Sequence, residues 1–269
     1  MCTVGVLGNL KIYLDNAIKN FAGTWSYIIE RKNVGSSAGR GEIISYNEKY
    51  VYKSASMIKV LILAYLCSSD IDLSKKIRID TVERVEGGGA LQEMNPDCTV
   101  SIEALARLMI VLSDNLATNL LIAKLGRENI QKYAEDLNLV DTKLNRYMMD
   151  FVASSEGREN LMSVDDYNKL IWYIYDEQKT NPRFKLAWQI LARQQFRDRI
   201  PYYWDEDIIF HHKTGMLDYV EHDGGIYEDG NFAYSIIIFT SNLSANAVGG
   251  RQIGELGKYI LDYLKAEKS

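Results

Sequence analysis

Residues that favour strands gather at the two ends of this chain while the middle carries helical periodicity, and that separation restricts the available folds more than any other feature. Thr24 to Arg31 and Glu42 to Tyr46 have the composition of strands, and the Gly- and Ser-rich segment Asn33 to Gly41 between them suits a hairpin loop. Ahead of them, Leu10, Leu14, Ala17, Ile18 and Phe21 give Asn9 to Phe21 the apolar face of a helix. From Ser56 to about Gln195 no strand is expected. Met57 to Cys67, Ile102 to Leu112, Leu116 to Leu125, Asn129 to Leu137, Ser163 to Asp176 and Arg183 to Gln194 read as helices, with Pro182 where a helix start tolerates it. Strands return at Asp207 to His211, Val220 to Tyr227 and Phe232 to Thr240, the last two joined by the turn Glu228-Asp229-Gly230-Asn231. A closing helix follows, with Ile253, Leu256, Gly257, Ile260, Leu261 and Leu264 on one face. The expected fold is α+β. An antiparallel sheet with terminal helices, built from residues 1–52 and 197–269, is interrupted by an all-α lobe at 53–196, with a cleft between the two.

The 269 residues are 47% hydrophobic and 25% charged with only three prolines, so the whole chain is expected to fold. A net charge of −5 with both signs mixed gives no basic stripe for nucleic acid. Ile58 to Cys67 and Ala233 to Phe239 are too short to span a bilayer, and the start lacks a basic-then-apolar signal. The expectation is a soluble monomer, cytoplasmic as the sequence stands, and secreted or periplasmic had a leader been removed. Cys2, Cys67 and Cys98 are odd in number and irregular in spacing, which indicates neither a disulfide framework nor a metal site.

Three short motifs fall on the boundaries between these segments. Ser56-Met57-Ile58-Lys59 places a hydroxyl and an amine one helical turn apart at the head of an apolar helix. A serine needs a neighbour to take its proton, a partly desolvated lysine can do so, and a helix start offers free N–H groups to an oxyanion. Ser113-Asp114-Asn115 lies between two helices, where it either presents a hydroxyl and a carboxamide to the cleft or caps the helix beginning near Leu116, and Asn119 caps or packs in the same way. Lys213-Thr214-Gly215 is placed at the end of a strand over Ile208 to His212. There a lysine and a threonine can anchor a carboxylate, glycine lets a ligand approach the backbone, and the N–H of Met216 can complete an oxyanion hole; an exposed strand end is the alternative.

Ser-x-x-Lys, Ser-Asp-Asn and Lys-Thr-Gly, in that order, make the chain resemble the class A β-lactamases and penicillin-binding proteins. The resemblance extends to Ser113–Leu121, to Leu144-Asn145-Arg146-Tyr147 as the opening of the family's Ω-loop, and to Arg251–Gly257 in the last helix. It implies Ser56 as nucleophile, Lys59 and Ser113 as proton carriers, and Asn115, Lys213, Thr214 and Gly215 as substrate-binding residues. The oxyanion would be held by the backbone N–H groups of Ser56 and Met216. The implied substrate is a small-molecule β-lactam or a D-alanyl-type acyl compound, with no cofactor.

Two departures stand out. Where class A enzymes carry the Glu-x-x-Leu-Asn pattern whose glutamate positions the deacylating water, this chain has Met148, Met149 and Asp150, with Glu156 and Glu159 farther on. The family's arginine on the strand after Lys-Thr-Gly is absent from His222-Asp223-Gly224-Gly225, where His222 is a candidate substitute. The expected activity is therefore β-lactam opening through an acyl-Ser56 with slow deacylation, the alternatives being a D-alanyl peptidase or esterase and a covalent binder without turnover.

Overall fold

The computed structural model describes residues 6–34 and 41–267. Cys2 and most of the expected hairpin loop before Gly41 lie outside the described residues. In chain order the elements are α1 (Gly8–Ile18), β1 (Thr24–Asn33), β2 (Glu42–Tyr46), β3 (Tyr52–Lys53), a 3-10 turn (Ala55–Ile58) running into α2 (Lys59–Ser68), β4 (Lys76–Arg78), β5 (Thr99–Ser101), α3 (Ile102–Val111) and α4 (Asn115–Leu125). They continue with α5 (Arg127–Asp136), α6 (Phe151–Ser155), β6 (Leu161–Met162), α7 (Val164–Glu177), α8 (Pro182–Leu191), β7 (Phe210–Leu217), β8 (Val220–Glu228), β9 (Phe232–Ser241) and α9 (Asn246–Ala266).

Both ends of the chain meet in one five-stranded sheet of order β2-β1-β9-β8-β7, antiparallel throughout. Its two faces are covered differently, and strand alternation assigns each residue to one of them. Ile28 of β1 and Ile237 and Phe239 of β9 join the core formed with α2, α3, α4, α7 and α8. Trp25, Tyr27 and Ile29 of β1 and Ile236 and Ile238 of β9 point the other way, against α1 and α9. Strand β9 is thus buried on both sides, which is why it reads as an unbroken apolar run. Among the described residues no helix is long and apolar enough to cross a membrane, and no group of three or more His, Cys, Asp or Glu is placed to hold a metal ion.

The middle of the chain does contain strands, contrary to expectation. β4 pairs with β5 and β3 with β6, each two or three residues long and too short to impose a period of two on the sequence. The second correction bears on function. β7 begins at Phe210 and runs to Leu217, so Lys213-Thr214-Gly215 lies mid-strand instead of at its end. Buried polar side chains at 212, 213 and 214 hide the strand from a hydrophobic pattern.

Candidate active site

Ser56 sits in the 3-10 turn at the head of α2, where Lys59 is the first α-helical residue. Ala55, just before it, has a φ of 47°, a left-handed conformation that a non-glycine residue adopts only when its surroundings hold it there. One such constraint is β7. A Cβ added to Gly215 would lie 3.2 Å from Ala55 Cβ and 3.1 Å from Met57 Cγ, so glycine lets the Lys-Thr-Gly strand lie against the turn that carries Ser56.

Lys59 is fully buried because α2 is apolar on nearly every side. Its Nζ donates to Ser113 O at 2.6 Å and to Asn115 Oδ1 at 2.9 Å, and lies 3.1 Å from Ser113 Oγ. Lys213, also fully buried, donates to the same Ser113 Oγ at 3.1 Å and to Thr214 O at 2.7 Å. One hydroxyl therefore stands between two amines. Burial above all, with the charge of Lys213 added, pushes Lys59 well below the ordinary lysine range against the opposing pull of Asp114. Burial also brings Lys213 down to about 7, opposed by Asp223 and reinforced by Arg199. A neutral Lys59 can accept the proton of Ser113 Oγ while that oxygen accepts from Lys213, which satisfies every atom of the contact and makes a path for protons.

The Ser-Asp-Asn segment divides the two tasks read from its sequence. Asp114 caps α4, its Oδ1 accepting from Ala117 N at 2.9 Å, while its Oδ2 accepts from Ala90 N and Leu91 N at 2.8 Å each. Ser113, with a φ of 54°, and Asn115 turn to Lys59 instead. Asn119, one turn further along α4, does not cap. Its amide takes the Met148 N–H at 2.8 Å and donates to Met148 O at 3.1 Å, fastening the 147–150 loop beside Asn115.

The three loop carboxylates read from the sequence are each engaged by other groups. Met148 is buried in the loop wall. Asp150 caps α6 through Ala153 N at 2.9 Å, and Glu156 pairs with Arg158. Glu159 is locked to Arg146 at 2.9 Å and Lys53 at 2.9 Å. Burial opposes its ionisation, but Ser154, Lys53 and Arg146 together hold it below the ordinary value.

His222 is no substitute for an arginine. It is fully buried between Tyr52 and Phe239 on the Lys53 side of the sheet, its Nε2 2.9 Å from Lys53 O, and Thr240 N–H donates to its Nδ1 at 3.2 Å. Burial lowers its pKa to about 4, so it stays neutral. The cation that sequence reading missed is Arg199, from the segment before β7. It is held by Glu221 Oε2 at 2.6 Å and by Asp198, and its charge is felt at Lys213. No local pattern marks it, because only the return of the chain to β7 and β8 brings it there.

Lys59, Ser113, Asn115 and Lys213 thus meet from α2, the α3–α4 junction, α4 and β7, while Gly215 lays β7 against the turn that carries Ser56. The family model described as the beta-lactamase enzyme family matches residues 9–264. The chain belongs to that family. It is a β-lactamase-like serine hydrolase, and its fold is that of solved relatives of low sequence identity. A β-lactamase from Sphaerobacter thermophilus superposes with a TM-score of 0.81 at 24% identity, covering 95% of this chain and 96% of that one. A mutant of PBP-A in acyl-enzyme complex with penicillin G gives 0.83 at 21%, covering 98% of each. A class A β-lactamase from Bacteroides cellulosilyticus gives 0.82 at 18%, covering 97% and 99%. No curated protein matches by sequence.

Proposed function

We propose that the chain opens β-lactam rings through an acyl-enzyme on Ser56 and releases the product slowly. The observation that carries this reading is the buried run Lys59, Ser113, Lys213, joined through one hydroxyl. Neutral Lys59 takes the proton of Ser56 Oγ as that oxygen bonds to the lactam carbonyl carbon. The oxygen of the tetrahedral adduct accepts from the backbone N–H groups of Ser56 and Met216. The carbon–nitrogen bond then breaks, and the proton passes from Lys59 through Ser113 Oγ to the departing nitrogen. Lys213 and Thr214 hold the substrate carboxylate with Arg199 behind them, Gly215 lets it approach, and Asn115 fixes Lys59. Water then meets an acyl-serine with methionine where the family's glutamate would stand, while Asp150 caps α6 and Glu156 and Glu159 are paired with arginines. Slow release follows.

Intact-protein mass spectrometry during exposure to a penicillin tests the proposal. An adduct that maps to Ser56, decays slowly and is missing from Ser56→Ala supports it. Absence of any adduct together with absence of turnover refutes it. Release of D-alanine from a cell-wall peptide would shift the physiological substrate to the D-alanyl class, with the same serine acting.

A further inference from the structure

We infer that the buried pair His212–Asp223, on the opposite face of β7 from Lys213, is a positioning device for the anion-binding side of the site: it holds Lys213 and Arg199 ready for the carboxylate of the substrate. The inference rests on the reading of Ser56 as the residue acylated and of Lys213 and Arg199 as the cations that meet that carboxylate. His212 is 1% exposed and Asp223 is fully buried. The His212 Nδ1–H donates to Asp223 Oδ1 at 2.7 Å, since a carboxylate can only accept, and Ile200 N–H donates to Asp223 Oδ2 at 3.0 Å. One carboxylate thus ties together β8, which bears it, β7 at the residue before Lys213, and the backbone at the residue after Arg199. Room for the imidazole comes from β8 itself. Gly225 is paired with His212, and a Cβ there would lie 2.5 Å from His212 Cβ and 2.2 Å from His211 O. The stretch His222-Asp223-Gly224-Gly225, which lacks the family's arginine, builds this pair instead.

The fold alone does not call for it. His212 stacks on Phe210, ring centroids 4.6 Å apart, on the face of the sheet covered by α1 and α9, where two apolar side chains would pack without the cost of burying a carboxylate. Among the described residues nothing bonds to His212 Nε2, so the ring serves Asp223 with a single donor and, unlike an arginine, brings it no fixed positive charge. The charge of Asp223 is felt at Lys213. The charged groups acting on Lys213 are Lys59 from α2, Arg199 from the segment before β7, and Asp223 from β8. The two cations disfavour its ammonium form, Glu221 and Asp198 are paired with Arg199, and Asp223 is the anion that favours that form against burial. Tyr167 of α7, whose hydroxyl donates to Gly224 O at 2.9 Å, is kept un-ionised by burial and by Asp223, and His222 on the other face is neutral. Removing Asp223 therefore takes away both the pull on Lys213 and the tether beside Arg199.

A phenylacetamido penam with its free carboxylate and the methyl ester of the same penam test this. Second-order rates of Ser56 acylation by each are read by intact-protein mass from about pH 5 to about pH 9. The acid-to-ester ratio of these rates reports the hold on the carboxylate, and a general loosening of the site lowers both rates without moving the pH profile of the ratio. On the native chain the ratio should fall as the pH rises through about 7, where Lys213 gives up its proton. In Asp223→Asn the fall should come about one pH unit lower, which reduces the ratio about fivefold at pH 7. His212→Asn, whose amide can still donate to Asp223, should keep the native profile, whereas His212→Leu leaves Asp223 with Ile200 N–H alone and should move the fall in the same direction as Asp223→Asn. Coincident profiles in the native chain and Asp223→Asn, or, where that variant does not fold, in the two His212 variants, overturn the inference while leaving Ser56 in place. No adduct with either penam on the native chain removes the reading of Ser56, and this inference with it.

Discussion

Replacing Lys213 by methionine should stabilise the fold near pH 6, and the gain should disappear as the pH rises. Lys213 is fully buried, and its pKa is brought from the ordinary 10.5 to about 7, chiefly by burial. That interval corresponds to about 5 kcal/mol of unfavourable burial of the charged form. Methionine fills similar space without charge. Against the gain stand two lost hydrogen bonds, to Ser113 Oγ at 3.1 Å and Thr214 O at 2.7 Å. Each is worth about 1 kcal/mol, and an unsatisfied Thr214 carbonyl adds about 1 more. The net expectation at pH 6 is about 2 kcal/mol in favour of the variant. Between pH 7 and 10.5 the unfolded native chain holds a proton that the folded chain has released, so native stability rises by about 1.4 kcal/mol per pH unit. The variant lacks this dependence, and by pH 9 its advantage of about 2 kcal/mol is cancelled. Urea unfolding of both proteins at pH 6 and pH 9 measures the two differences. If the difference is the same at both values, the buried ammonium does not titrate in this window and the reasoning fails.

Met148→Glu should shorten the lifetime of the Ser56 adduct about a hundredfold, the lower end of what one general base contributes, as followed by decay of the adduct mass; an unchanged lifetime would show that position 148 is not where deacylation is limited. Asp114→Ala leaves Ala117 N, Ala90 N and Leu91 N without their acceptor, and should cost about 3 kcal/mol in urea unfolding. His222 is neutral when folded, with a pKa near 4 against 6.5 in the unfolded chain. Its contribution is complete above pH 6.5 and falls away toward pH 4, by about 3 kcal/mol in all, so His222→Gln should flatten the loss of stability in that window.

The long elements were legible in the sequence because their periods are set by which face they bury. The α+β class, the antiparallel sheet from both chain ends and the helices of the middle all follow from periodicity. The two-stranded pairs at 76–78 with 99–101 and at 52–53 with 161–162 left no period to read. The strand bearing Lys213 reads too early from hydrophobicity because His212, Lys213 and Thr214 are polar yet buried. Within the site, residues sharing a short motif could be recognised, whereas contacts made by tertiary return could not. The hold of Asn119 on Met148, the approach of Arg199 to Lys213 and the exclusion of His222 belong to the second kind.

Strand β9, apolar on both of its faces, raises a question of registration. A strand with one wet face is kept in register because a slip by one residue would expose its oily side, but here the slip would merely exchange Ile236 and Ile238 for Ile237 and Phe239. The strand is pinned by the hydroxyls set into it. Buried Ser235 donates to Asn168 Oδ1 at 2.6 Å, whose amide in turn reaches Glu30 on the neighbouring strand, and buried Thr240 donates to Glu221 O at 2.8 Å. Shifted by one place, each would become an orphaned polar group in a dry interior. Since β8 is aligned on β9 and β7 on β8, two hydroxyls remote from the chemistry fix how far along the sheet edge Lys213 stands from Ser56.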